Sequence, residues 1–182
     1  ENAAATASGI ETMYRALRKK GKISKDIKFI AFGGDGGTYD IGFQALSGAM
    51  ERGHQLLYIC YDNGAYMNTG IQRSSATPWG TWTTTTPANH PKGQPKKNMM
   101  EIMAAHYNPY SATATIGFPR DLQDKILRAK SIRGTKFIHM LVPCPTGWRT
   151  PSNLSPELSI FAVETNVFPL YEVEDGRKYT LN

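Results

Sequence analysis

The chain has 182 residues, a length typical of one domain that is large enough to bury a hydrophobic core. Hydrophobic residues make up 40% of the sequence and charged residues 20%, which argues against disorder, and no apolar run approaches the roughly 20 residues of a membrane helix. The net charge is +6, but the basic residues form no long block, so we expect neither nucleic acid nor a membrane as a partner.

The spacing of apolar residues predicts alternating helices and strands. Ile10, Met13, Tyr14 and Leu17 recur at helical intervals, and Gly21 should end that first helix. Strands are predicted at residues 27–32, 55–61, 112–116 and 136–142, and helices at residues 39–52, 98–106 and 119–133. This order predicts an α/β fold, a doubly wound, mostly parallel sheet with helices on both faces, in one domain over residues 1–182.

Residues 68–98 show no clear periodicity and are rich in Thr, Ser, Pro and Gly. A loop of this length inside a compact domain is usually functional or disordered. Trp79 and Trp82 argue against disorder. We therefore predict an ordered loop that docks on a partner or covers a cofactor.

A glycine-rich turn, Gly34-Asp35-Gly36-Gly37, follows the first predicted strand. Glycines let the backbone approach a phosphate, and the helix after them offers N–H groups to it. A carboxylate beside a diphosphate would repel it unless a divalent cation such as Mg²⁺ lay between them. By itself the pattern favours an ordinary turn over a metal–diphosphate site.

Asn63 lies just past the next predicted strand, one βαβ unit after Asp35. This spacing predicts that the Asn63 amide oxygen and the Asp35 carboxylate lie at neighbouring strand ends, where both can hold one cation. Asp62-Asn63-Gly64 is also a common turn sequence, and the turn and the ligand interpretations are compatible.

Gly-Asp-Gly followed by Asn at this interval resembles the thiamine-diphosphate-binding motif of thiamine enzymes. Residues 61–75 are more specific, because they resemble the beta subunit of pyruvate:ferredoxin oxidoreductase, a member of the 2-oxoacid:ferredoxin oxidoreductase family. Further stretches with the same resemblance are residues 83–87, 96–99, 102–106 and 143–148. The resemblance thus covers almost the whole chain.

The resemblance implies a thiamine-diphosphate-binding fold and assigns roles by position. The implied cofactor-binding residues are Gly34, Asp35, Gly36, Gly37, Asn63, Ala65 and Asn68. Among them, the Asp35 carboxylate, the Asn63 side chain and the Ala65 backbone carbonyl would ligate Mg²⁺. Asn68, with Thr69 behind it, would face the thiazolium and the substrate as a catalytic residue. Gly64 departs from the family, which usually has Glu or another bulkier residue there, and its presence should loosen the turn.

Cys144 follows the strand predicted at residues 136–142, and by itself it would be interpreted as a buried thiol. The resemblance instead implies that Cys144 is one thiolate of a [4Fe–4S] cluster whose other three ligands lie upstream of Glu1. Cys60, within a strand, is predicted to lie in the core. Two cysteines and an N-terminus without signal-peptide features fit a cytoplasmic protein.

The resemblance implies oxidative decarboxylation of pyruvate to acetyl-CoA with electron transfer to ferredoxin. The expected partners are an alpha subunit, other subunits of the same enzyme, ferredoxin, pyruvate and coenzyme A. The chain is expected to be truncated at both ends relative to the family and inactive alone. Two alternatives remain open: the same chemistry on 2-oxoisovalerate, 2-oxoglutarate or oxalate, and a non-catalytic module for subunit assembly.

Overall fold

A computed structural model describes residues 2–182 of the chain. The helices are α1 (Ala3–Lys19), α2 (Phe43–Glu51), α3 (Met99–Ala104), α4 (Pro119–Ser131), α5 (Pro145–Trp148) and α6 (Ser155–Glu164). The strands are β1 (Phe29–Gly34), β2 (Leu56–Asp62), β3 (Ala65–Tyr66), β4 (Gln72–Arg73), β5 (Tyr110–Thr115), β6 (Lys136–Leu141), β7 (Tyr171–Glu174) and β8 (Lys178–Leu181). Within residues 2–182, no helix combines the length and the apolar character needed to cross a membrane.

The main sheet has six strands in the order β1-β2-β6-β5-β7-β8. Its first four strands run parallel, whereas β7 is antiparallel to β5 and β8 is antiparallel to β7. Strands β3 and β4 form a separate two-stranded sheet. The predicted α/β fold with a mostly parallel sheet is confirmed.

Hydrophobic clusters cover both faces of the sheet. On one face, residues of α1, α2 and α3 pack on Tyr58 and Phe137. On the other face, residues of α4 pack on Leu57, Ile59 and Ile138. Because successive strand residues point to opposite faces, a strand covered on both sides is apolar throughout, as the centre of β2 is.

The helix predicted at residues 39–52 is divided in the structure. A π-helical turn, Gly37–Ile41, is followed by Gly42 and then by α2. The Gly42 N–H donates to the Gly37 carbonyl at 2.8 Å. This bond joins residues five apart in the sequence, as in a π-helix, instead of the four of an α-helix. The wider turn directly follows Asp35 and the glycines, so it shapes the segment where the diphosphate was predicted.

The first helix is present, but only part of its apolar stripe is covered, since Tyr14 and Leu17 are half-buried. Ile10 and Met13 are 53% and 59% exposed. Glu11 is buried instead, because its carboxylate is bonded to His54 Nδ1 at 2.8 Å and to Arg15 Nε at 3.0 Å. These partners offset the cost of burying the Glu11 carboxylate on this side of α1.

The β7–β8 hairpin, α5 and α6 were not predicted. The hairpin turn contains Asp175 and Gly176, whose φ angles of 50° and 65° are both left-handed. Asp-Gly between alternating apolar and polar residues is a strong hairpin signal, so the sequence contained the information needed for this element.

Candidate functional site

The predicted site residues meet at the carboxyl ends of β1 and β2. These strands pair in parallel, with Gly34 opposite Tyr61, so the residues that follow each strand emerge at the same edge of the sheet. Asp35 follows β1, Asn63 follows β2, and Ala65 begins β3. The edge beyond the carboxyl ends of parallel strands is where ligands bind in such folds.

Three polar groups converge at this edge. One terminal atom of the Asn63 amide lies 3.0 Å from Asp35 Oδ1 and 2.9 Å from the Ala65 carbonyl oxygen. Without a cation, the amide nitrogen must take that position, since it can donate to both oxygens. If the amide is turned over, its oxygen meets two other oxygens, an arrangement that a hard divalent cation would stabilise. The three groups therefore fit Mg²⁺.

The candidate site does not consist of a cluster of the usual metal-binding side chains. Across residues 2–182, no three His, Cys, Asp or Glu side chains come together in a way that could hold a metal ion. The candidate site depends instead on one carboxylate, one amide and one backbone carbonyl. All three are hard oxygen donors, which distinguishes the site from a zinc or copper centre.

Asp35 is strongly perturbed by its surroundings. Its side chain is almost fully buried, and Ser74 Oγ donates to Asp35 Oδ2 at 2.5 Å. Burial, assisted by the nearby negative charge of Asp62, raises the pKa of Asp35 to about 7. A divalent cation beside the carboxylate would oppose both causes, because it favours the ionised form.

Asp62, in contrast, is an ionised carboxylate whose charge is balanced by groups of the protein. Its Oδ2 accepts a hydrogen bond from His139 Nε2 at 2.7 Å and pairs with the Lys96 ammonium. Burial acts to raise the pKa of Asp62, but the His139 hydrogen bond and the Lys96 charge outweigh it and hold that pKa well below its usual range. Burial also lowers the pKa of His139, so its imidazole is neutral.

The ionised Asp62 also shapes the turn that carries the predicted ligands. Its Oδ1 accepts a hydrogen bond from the Gly64 N–H at 2.9 Å. Gly64 has a φ of +85°, a conformation that glycine adopts without strain. Because Gly64 lies between Asn63 and Ala65, this bond helps to aim both of them at Asp35.

Within the glycine turn, Gly36 approaches the Tyr66 ring too closely for a side chain. A Cβ on Gly36 would lie 2.1 Å from the Tyr66 ring, whose hydroxyl donates to the Gly36 carbonyl at 3.2 Å. Gly36 and Gly37 open the π-helical turn, and N–H groups in the first turn of a helix lack partners within it. Such N–H groups, beside Gly34 at the end of β1, suit a diphosphate.

Asn68 and Thr69 lie beyond β3 and are exposed. The Thr69 hydroxyl donates to Gln72 Oε1 at 2.5 Å, and Gln72 Nε2 donates to the Thr69 carbonyl at 2.5 Å. These bonds close the turn between β3 and β4. The catalytic role of Asn68 and Thr69 stays a prediction.

Cys144 follows β6 at the same edge of the sheet, as predicted. It precedes α5, and its sulfur accepts a hydrogen bond from the Gly147 N–H at 3.4 Å. Trp148, at the end of α5, donates from Nε1 to the Asn63 carbonyl at 2.8 Å. Cys144 is a free thiol tied through this short helix to the metal turn, while Cys60 is buried in the core.

The long loop at residues 68–98 lies against this edge. It contains β4 and an isolated bridge between Thr83 and Thr86, and it borders a cavity of about 700 Å³ beside residues 62–65. At the rim of the cavity, the Arg149 guanidinium lies 4.9 Å from the centre of the Trp82 ring. The predicted order and the predicted role of the loop both stay predictions.

Several residues at the site were missed by the sequence interpretation. Ser74, Lys96 and His139 come from a loop without periodicity and from an apolar strand, and each contacts Asp35 or Asp62. The only signal for Lys96 was its place in a stretch with family resemblance. Ser74 belongs to the stretch 61–75, but no role was assigned to it.

The chain matches one family model, described as thiamine pyrophosphate enzyme, C-terminal TPP binding domain, over residues 1–140. It is 61% identical to pyruvate synthase subunit PorB of Methanocaldococcus jannaschii over 97% of this chain and 61% of that protein. It is also 50% identical to ketoisovalerate oxidoreductase subunit VorB of Pyrococcus furiosus, over 100% of this chain and 59% of that protein. The chain therefore spans about three fifths of the length of these relatives.

A solved structure is similar as well. It is 2-oxoglutarate:ferredoxin oxidoreductase from Magnetococcus marinus with 2-oxoglutarate, coenzyme A and succinyl-CoA bound. The TM-score is 0.70 with 25% identity, over 80% of this chain and 46% of that one. The predicted resemblance and the predicted fold are both confirmed by these comparisons.

Proposed function

The chain belongs to the thiamine pyrophosphate enzyme family through the C-terminal TPP-binding domain, and we propose that it is the cofactor-binding part of a pyruvate:ferredoxin oxidoreductase beta subunit. The observation that carries this proposal is the convergence of Asp35, Asn63 and Ala65 at the carboxyl ends of two parallel strands. The 61% identity to a pyruvate synthase subunit supports the choice of reaction.

The residues of this chain would act mainly by binding and orientation. Asp35, the Asn63 amide oxygen and the Ala65 carbonyl would hold Mg²⁺, and the backbone of the glycine turn, Gly34, Gly36 and Gly37, would hold the diphosphate. Bound thiamine diphosphate would supply the electron sink for loss of CO₂ from a 2-oxoacid. Asn68 and Thr69, exposed beyond β3, would form one wall of the substrate site.

Electron transfer would require other parts of the enzyme. Cys144 would provide one thiolate of a [4Fe–4S] cluster, with three thiolates from outside this chain. The link from α5 to the Asn63 carbonyl supports a cluster near the cofactor. Ferredoxin would accept the electrons, coenzyme A would accept the acyl group, and an alpha subunit would complete the substrate pocket of this cytoplasmic enzyme.

A second candidate is the same reaction on a larger 2-oxoacid. The observation that favours it is the 50% identity to a ketoisovalerate oxidoreductase subunit over the whole chain. Steady-state assays of the complete enzyme with pyruvate, 2-oxoisovalerate, 2-oxoglutarate and oxalate distinguish the candidates. We expect the highest kcat/KM with pyruvate, and absence of turnover with all four would favour an assembly role.

The metal assignment is tested by Asp35→Ala in the assembled enzyme. We expect this substitution to abolish Mg²⁺-dependent binding of thiamine diphosphate in calorimetry, because it removes the only carboxylate among the three proposed ligands. Asp26→Asn is the matched control, since Asp26 is an exposed carboxylate paired with Lys28. Unchanged affinity in Asp35→Ala would contradict the assignment.

A further inference from the structure

A tight turn at residues 74–77 contacts both segments that carry the proposed metal ligands. We propose that this turn is the outer support of the metal site and that Ser74 and Thr77 are positioning residues for Mg²⁺ binding. The inference rests on the proposed metal role of Asp35. Groups that hold metal ligands by hydrogen bonds typically change metal affinity when they are removed.

Ser74 orients the carboxylate of Asp35. The Ala76 N–H donates to Ser74 Oγ at 3.1 Å, so that interaction uses the hydroxyl oxygen as an acceptor. The single hydroxyl proton is then directed at Asp35 Oδ2, 2.5 Å away. With Oδ2 held in this way, Oδ1 is the oxygen that faces the Asn63 amide.

Thr77 connects the same turn to the other two ligands. Its hydroxyl oxygen accepts a hydrogen bond from the Ser74 N–H at 3.0 Å and donates its proton to the Gly64 carbonyl at 2.5 Å. Gly64 is the residue between Asn63 and Ala65. One turn therefore fixes the carboxylate on one strand end and the ligand-bearing turn on the next.

The turn is itself held rigidly. The Thr77 N–H donates to the Ser74 carbonyl at 3.2 Å, which closes the turn. The Thr77 carbonyl in turn accepts a hydrogen bond from the buried ammonium of Lys92. Ser74, Ala76 and Thr77 are also fully buried, and hydrogen bonds in a water-excluded site restrict motion more strongly than exposed ones.

The neighbouring residue Ser75 provides an internal comparison. It is also a serine that bonds a carboxylate, because its N–H donates to Asp40 Oδ2 at 2.9 Å and its hydroxyl donates to Asp40 Oδ1. Asp40 lies in the π-helical turn and is not a proposed metal ligand. Removal of the Ser75 hydroxyl therefore disturbs the same loop in a similar way without releasing Asp35.

The test is a Mg²⁺ titration of the assembled enzyme, containing the full-length polypeptide, at saturating thiamine diphosphate. We expect Ser74→Ala to weaken Mg²⁺ affinity by about 10- to 100-fold in calorimetry, and Ser75→Ala to change it by less than about threefold. Ser74→Thr, which keeps the hydroxyl, should restore most of the affinity. Equal Mg²⁺ affinity in wild type and Ser74→Ala would overturn the proposal.

A spectroscopic readout separates positioning from simple loss of stability. With Mn²⁺ in place of Mg²⁺, the electron paramagnetic resonance spectrum should change in Ser74→Ala and return towards wild type in Ser74→Thr. If Ser74→Ala does not fold, Thr77→Val and Thr77→Ser provide the same comparison. An unchanged spectrum and affinity in the folded variant that lacks a hydroxyl would overturn the proposal.

The outcome for Asp35→Ala distinguishes this proposal from the function on which it rests. Loss of Mg²⁺ binding in Asp35→Ala together with normal binding in Ser74→Ala would overturn the positioning role and leave the metal assignment intact. Normal Mg²⁺ binding in Asp35→Ala would overturn both.

Discussion

The candidate site and the adjoining strand β1 differ in whether their side chains have partners within this chain. At the carboxyl ends of β1 and β2, Asp35 is paired with Ser74, and Asp62 is paired with Lys96 and His139. Along β1 itself, Ile30 and Phe32 are 52% and 58% exposed. The buried carboxylates of the candidate site are thus paired within this chain, whereas the apolar side chains of Ile30 and Phe32 beside it are largely exposed.

The exposed β1 residues share a sheet face with core residues. Ile30 pairs in register with Leu57, and Phe32 pairs with Ile59, and both partners on β2 are buried under α4. The difference follows from energetics. An unpaired buried carboxylate is strongly unfavourable, whereas an exposed apolar side chain only forgoes its burial. The comparison therefore predicts large effects at the site and small ones on β1.

The largest effect is expected at His139. His139→Leu should destabilise the protein by about 3 kcal/mol or more, because it removes a hydrogen-bond donor from the fully buried, charged Asp62 carboxylate. Urea unfolding measures this change. The control is Lys178→Ala, which removes an exposed pair with Glu174 and should change stability by less than about 1 kcal/mol. Equal effects of the two variants would contradict the contrast between buried and exposed pairs.

The next effect concerns pH. The folded-state pKa of Asp35 is raised from 3.8 to about 7, so the folded chain keeps a proton that the unfolded chain has released. Without Mg²⁺, the ionisation of Asp35 should therefore reduce the free energy of unfolding as pH rises from about 4 to about 7. The total reduction should be up to about 4 kcal/mol.

This pH contribution is measured as the difference between wild type and Asp35→Asn in urea unfolding across that window. His139 and other groups titrate in both proteins, so the subtraction isolates Asp35. Added Mg²⁺ should reduce the difference, since the cation favours the ionised carboxylate. Parallel stability profiles for the two proteins would show that Asp35 is not perturbed as described.

The smallest effects are expected for apolar side chains on one face of the sheet, where β2 is buried and β1 is exposed. Ile59→Ala should destabilise the protein by about 2–3 kcal/mol, since it leaves a cavity under α4. Ile30→Ala, on the same sheet face but two register pairs earlier on β1, should change stability by less than about 1 kcal/mol in the chain of residues 1–182. A similar loss for both variants in thermal unfolding would mean that Ile30 is covered in solution.

The sequence was sufficient to predict the adjacency of Asp35 and Asn63. Each follows a strand of one βαβ unit, and parallel strands place their carboxyl ends at one edge. It was not sufficient for Ser74, Thr77 and Lys92, because their contacts depend on the path of a loop that has no periodic pattern. Such a path is decided by hydrogen bonds between residues far apart in the chain.

Other elements were missed for different reasons. His139 lies in an apolar strand, and a single histidine there gives no sign that its partner is Asp62. The helical spacing of Ile10 and Met13 indicated the helix correctly but not its buried side, since the buried Glu11 was not anticipated. The hairpin at Asp175, in contrast, has a recognisable turn sequence and was predictable.

The hydrogen bond from Trp148 to the Asn63 carbonyl makes the indole a natural optical probe. Its ring sits on the backbone of a proposed metal ligand and at the end of the helix that begins after Cys144. A rearrangement of either neighbour would alter the polarity around the indole, and with it the emission wavelength. Tryptophan fluorescence, with Trp79 and Trp82 replaced by Phe, would then follow events at the metal turn in real time.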